Sequence, residues 1–112
     1  RDALKAGAGL VALSGAAWSA PLSPDWKPLV LDPHQLATVE VLEELIIPAT
    51  DTPGAKAALV HRYVDLFLDA GPETERLRFL AGLGWLDGYC HRKFDKPFVK
   101  LAEAQQIEVL TI

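Results

Sequence analysis

A chain of 112 residues, half of them apolar, has room for one domain with a single modest core and none for a catalytic fold beside a cofactor domain. Its formal charge of -4 and pI near 5.2, with no extended cluster of lysine and arginine, leave no electrostatic footprint for nucleic acid. The one cysteine, Cys90, excludes an internal disulfide and fits any compartment.

Residues 1–20 read RDALKAGAGLVALSGAAWSA: a positive start at Arg1 and Lys5, a mildly apolar run over residues 6–17, then small residues before Pro21. That is the build of a secretory signal, and its apolar run is too short to span a bilayer. Arg1-Asp2-Ala3-Leu4-Lys5 fits R-x-x-L-K and resembles the back half of the twin-arginine export motif, R-R-x-x-L-K, with the first arginine missing. Arg1, Leu4 and Lys5 are therefore the candidate export residues. The resemblance implies export in a folded state, often with a bound cofactor or a partner subunit. The alternative, an amphipathic N-terminal helix of a cytoplasmic protein, is disfavoured by the missing polar face. The segment is expected to be retained and held by a partner chain.

Residues 21–31 form a connector in which Pro21, Pro24 and Pro28 are spaced so that no helix forms. An extended strap is expected, with Trp26 pinning it to a surface of this domain or of a partner.

From Asp32 to the C-terminus the chain reads as helices. Asp32 caps the first, Pro33 takes its first position, Gln35 completes a capping box, and the helix runs to about Ile46. Leu36, Val39, Leu42 and Ile46 form its buried stripe, while Glu40, Glu43 and Glu44 are expected to face water. His34 reads as a solvated residue.

Residues 46–55, IIPATDTPGA, are a helix stop joined to a helix start. Pro48 ends the first helix; Asp51 and Thr52 offer capping oxygens, Pro53 suits the first position of the next, and Gly54 relaxes the backbone. The second helix is predicted to carry Leu59, Val60, Tyr63, Val64, Phe67 and Leu68 on one broad face and to end at Gly71 before Pro72.

The third helix is predicted from Pro72 to about Phe94, with Glu73 and Glu75 at its positive end and Arg92 and Lys93 at its negative end. Phe79, Leu83, Leu86 and Cys90 form one stripe and Leu80 with Asp87 another. Gly82, Gly84 and Gly88 cost about 1 kcal/mol each against alanine inside a helix, so another backbone is expected close by, within the domain or across an interface. A fourth helix follows Pro97, with Phe98, Leu101, Ile107 and Leu110 apolar and Gln105 and Gln106 exposed or at a contact. The pattern stops at Ile112 without a cap, and the expectation is a truncated domain.

Chemistry is sparse. Gly82-Leu83-Gly84 has no strand before it and carries no dinucleotide signal. Ser14, Ser19 and Ser23 lie in or beside the export segment and strap, so no nucleophilic triad can be built. Cys90-His91 is the end of a C-x-x-C-H haem motif whose first cysteine is replaced by Asp87. His61, Cys90 and His91 lack metal-ligand spacing, and Asp51, Asp65 and Asp87 read as caps, solvated groups or satisfied helix-face carboxylates before cation ligands. No catalytic, cofactor or metal residue is assigned in this chain.

The run Ile46-Ile47-Pro48-Ala49-Thr50-Asp51-Thr52-Pro53-Gly54-Ala55 is followed by Val60-x-x-Tyr63-Val64-Asp65 and by Glu75-Arg76 with Phe79-Leu80-x-Gly82-Leu83-x-x-Leu86-Asp87. Phe94-x-x-x-Phe98 and Gln105-Gln106 complete the set. In that order these motifs resemble the gluconate 2-dehydrogenase subunit 3 family, from roughly residue 32 to the end. The resemblance implies a non-catalytic small subunit whose partner is a large flavoprotein of the glucose-methanol-choline type. That partner would hold FAD, oxidise a sugar or sugar acid in the periplasm and pass electrons to a cytochrome c or quinone. On this reading Pro48, Thr50, Asp51, Thr52, Pro53 and Gly54 form either a structural corner between helices or a surface presented to the large subunit. Cys90, an unpaired thiol in an oxidising compartment, is either a cross-link to that subunit or a buried small hydrophobe.

The expected architecture is all-α: a signal-like N-terminal helix over residues 1–20, a Pro-rich strap over 21–31, and a domain of about four helices over 32–112. Two other readings are a stand-alone periplasmic helical binding module and an enzyme in its own right.

Overall fold

The computed structural model describes residues 19–50 and 52–112, and among these every regular element is helical. Helix α1 spans Pro33–Ile46, α2 Val60–Ala70, α3 Glu73–Phe94 and α4 Glu103–Leu110, with short 3-10 turns at Ala20–Leu22 and Phe98–Lys100. The all-α expectation holds. None of the described helices is long and apolar enough to cross a membrane.

Local chemistry sets most of the boundaries. Asp32 Oδ1 accepts the Gln35 N–H at 2.7 Å and Gln35 Oε1 accepts the Asp32 N–H at 2.9 Å, so α1 opens on a reciprocal capping box with Pro33 in its first turn. It closes where the Ile47 N–H reaches Glu43 O, just before Pro48. Helix α3 begins after Pro72, with Glu73 and Glu75 in its first turn and His91, Arg92 and Lys93 in its last, and stops at left-handed Asp95.

The second helix departs from expectation. It begins at Val60 rather than beside Pro53, and Leu59, not Thr52, stands at its cap position with no side-chain capping bond. Residues 55–58 form a separate turn, in which the Leu59 N–H bonds Lys56 O and the Val60 N–H bonds Ala55 O. Leu59 closes that turn with φ 61°, the left-handed step usually given to glycine. The chain is thus re-aimed before α2 starts. Helix α2 also turns a different face inward. Its buried residues are His61, Asp65 and Ala70, Val64 and Leu68 pack at the core edge, and Phe67 is 45% exposed.

Two apolar clusters meet at Leu42. One gathers Leu86, Cys90, Phe98, Leu101 and Val109; the other gathers Leu31, Val39 and Leu83 with Leu36, Val64, Leu68, Phe79 and Leu80 around them. Asp87 joins three elements: Oδ1 accepts the Phe98 N–H at 3.0 Å, and Oδ2 meets His34 Nε2, so His34 is paired rather than simply solvated. On α4, Gln106 is buried and donates to Phe98 O at 3.0 Å, while Ile107 is 48% exposed and Leu110 41%.

The strap is bound to α2. The carboxylate of Asp65, fully buried, accepts the N–H groups of Leu29, Val30 and Leu31 at 2.7, 3.0 and 2.9 Å. Three amides in a row with no helix or sheet partner are satisfied by one anion. Arg62, three residues earlier on α2, donates to Pro21 O at 2.9 Å and lies 4.9 Å from the Trp26 ring centroid. Trp26 therefore pins the strap to this domain.

Candidate partner-docking loop

Between α1 and α2 the chain makes a closed loop, held at its neck by the Ala55 N–H donating to Ile47 O at 2.9 Å. Two neighbouring residues of α1 fix its two arms. Glu44 reaches into it: Oε2 accepts the Ala49 N–H at 3.0 Å and Oε1 the Lys56 N–H at 3.2 Å. Glu43 holds the start of α2, with Oε1 2.5 Å from His61 Nδ1 and 3.3 Å from the His61 backbone nitrogen.

Both glutamates were expected to face water. Glu43 is instead 7% exposed beside His61 at 5%, and burial raises its carboxyl above the ordinary value against the lowering pull of the His61 hydrogen bond and charge. Glu40 stands 3.8 Å from the other ring nitrogen, so the two carboxylates clamp the imidazole from opposite sides and do not converge on a common point. Among the described residues no group of His, Cys, Asp and Glu is placed to hold a metal ion.

Gly54 is buried at the centre of this arrangement. A Cβ there would lie 2.6 Å from the Ala49 nitrogen and 2.6 and 2.8 Å from the Glu44 oxygens, so the position admits glycine for want of space, not for dihedral freedom. Around it Pro48, Thr50, Thr52 and Pro53 are exposed, and the Thr50 N–H donates to Thr52 O at 3.0 Å. Asp51, like the export residues Arg1, Leu4 and Lys5, lies outside the described residues.

The outer wall of the loop is apolar. Ile46, expected in the buried stripe of α1, is 69% exposed and Ile47 58%. Two isoleucines and Pro48 thus stand in solvent beside backbone that Glu44 anchors at Ala49 and Lys56. Such a feature loses little conformational entropy on binding and gains from covering apolar area.

Cys90 is not brought to this loop. It is fully buried in the α3 core, and burial, with the nearby Asp87 charge, pushes its thiol pKa up. A thiol so placed behaves as a small hydrophobe, and a cross-link from it would require α3 to come away from the core. Sequence reasoning missed Glu43, Glu44, Arg62 and His61 as holding residues. The available signal was a helix carrying three glutamates opposite a second helix with His61 and Arg62 near its start.

A family model described as Gluconate 2-dehydrogenase subunit 3 matches residues 33–112, a span that takes in the four α-helices of the described residues and the loop. Comparison with curated proteins and with solved structures returns no match.

Proposed function

This chain belongs to the gluconate 2-dehydrogenase subunit 3 family, and from that premise we propose that it is a non-catalytic accessory subunit that docks on the flavoprotein subunit of a sugar or sugar-acid dehydrogenase through the loop at residues 46–54. The reading is supported most by Ile46 and Ile47, held exposed on a loop that Glu44 and Gly54 fix in place. An escort whose only task was to stay folded would gain from burying them.

In this proposal the flavin, the catalytic base and the sugar pocket belong to the larger chain, a flavoprotein of the glucose-methanol-choline type. That chain hands its electrons to a cytochrome c or a quinone. The twin-arginine-like residues Arg1, Leu4 and Lys5 supply the export address for both chains, which places the assembled pair in the periplasm. The strap is clamped to the helical domain by Asp65 and Arg62.

Co-expression tests the assignment. Sugar-dependent dye reduction is expected only in fractions where a flavoprotein co-elutes with this chain, and Ile46→Asp with Ile47→Asp should separate the two. A flavoprotein that is exported, assembled and fully active without this chain would end the proposal.

A further inference from the structure

Among the described residues, one face of α3 is left exposed. Opposite the buried Leu83, Leu86 and Cys90, the helix presents Leu77, Ala81, Gly84 and Trp85, with Gly88 half-buried in line with them; Leu77 is 57% exposed and Trp85 56%. A Cβ added at Gly82 or Gly84 would meet nothing within 4 Å, whereas one at Gly88 would meet Arg92 Nη1 at 3.4 Å. Among the described residues, crowding therefore does not explain Gly82 and Gly84, each of which costs a helix about 1 kcal/mol. A backbone arriving across an interface would account for them.

The order of residues along this face identifies what approaches. Leu77, Ala81, Gly84 and Gly88 follow one another at four-, three- and four-residue steps, the seam of a two-helix coiled coil. One turn before the seam stands exposed Glu73, 3.8 Å from Arg76 of its own helix, and one turn after it exposed Arg92. Turned antiparallel on itself about a twofold axis between residues 82 and 83, the face sets Glu73 of one copy against Arg92 of the other. The same axis sets Leu77 against Gly88 and Ala81 against Gly84, large against small. A parallel pair would instead oppose Glu73 to Glu73 and Arg92 to Arg92. Antiparallel helix dipoles favour the first arrangement as well.

We propose that two copies of this chain associate through antiparallel α3 helices, with Gly84, and Gly88 once the Arg92 guanidinium swings off it toward the partner copy, admitting the neighbouring backbone and Trp85, stacked on Tyr89 at 5.5 Å, closing the side of the seam. This surface is separate from the loop at residues 46–54, which stays free for the flavoprotein subunit. The inference does not depend on that subunit's identity.

The test is sedimentation equilibrium of the full chain across a concentration series, with charge swaps. Glu73→Arg alone, or Arg92→Glu alone, turns two symmetric contacts repulsive and should weaken the dimer about tenfold, since exposed pairs are individually modest. The double swap, Glu73→Arg with Arg92→Glu, should restore it, while circular dichroism changes little, since each reversed charge costs an exposed helix end only about 0.3–1 kcal/mol. Glu73→Cys with Arg92→Cys should cross-link two copies under mild oxidation. A chain monomeric at every concentration, a dimer indifferent to the swaps, or a cysteine pair that fails to cross-link would each overturn the proposal.

Discussion

Glu44 and Gly54 compete for the same volume: the carboxylate that accepts the Ala49 and Lys56 amides occupies the place a Cβ at residue 54 would need. Gly54→Ala should therefore destabilise the chain by about 1–3 kcal/mol, the usual range for overpacking a tight site. A domain of this size then loses roughly 4–8 °C in Tm per kcal/mol. Differential scanning calorimetry checks it. Because the clash includes the Ala49 backbone, Glu44→Ala should relieve only part of the loss, and the double mutant should be non-additive.

The strap has its own weak point. Asp65→Asn keeps the shape of the side chain but replaces one acceptor oxygen with an N–H₂ group facing backbone donors. About 3 kcal/mol of stability should go with it, as expected when buried amides lose an anionic acceptor. Hydrogen exchange gives the specific readout: the amides of Leu29, Val30 and Leu31 should lose protection before those of α3. Equal loss across the whole chain would mean the strap is not separately clamped.

These two sites mark what the sequence could and could not convey. The ends of α1 and α3 were legible because Asp32, Pro33, Gln35, Pro48, Pro72 and the charged termini act within a turn of themselves. The start of α2 was not. Its geometry depends on Leu59 in a left-handed conformation and on Glu44, whose hydrogen bond to Lys56 spans the loop. Glu43 read as solvated because its partner, His61, is eighteen residues away. Ile46 read as buried because helical spacing reports a face, not whether a neighbour covers it. Trp26 was legible as a pin by its isolation among prolines, while its partner Arg62 was not.

Glu43 gives a pH dependence of definite sign. Burial raises its folded carboxyl above the unfolded value of 4.5, so its contribution to stability is present below that value and is lost as pH rises through the folded one. Glu43→Gln removes the titration. Urea melts of both proteins from acid to neutral pH should show the parent losing stability relative to the variant as pH rises. A constant or opposite difference would show that the His61 contacts outweigh burial.

Cys90 should be inert in the folded chain. Its burial and raised thiol pKa predict slow reaction with a thiol reagent under native conditions and prompt reaction in denaturant. The complex should run as separate bands on a non-reducing gel. A band at the combined mass that vanishes with added thiol would show instead that α3 opens to let Cys90 reach the flavoprotein.

The most direct measurement is the affinity between purified flavoprotein subunit and this chain, parent against Ile46→Asp with Ile47→Asp, by titration calorimetry beside dye-reduction assays. The expected result is a loss of binding of tenfold or more, about 1.4 kcal/mol for each tenfold, with unchanged helicity of the variant. Binding and activity left intact by both substitutions would contradict the assignment of the loop as the docking surface.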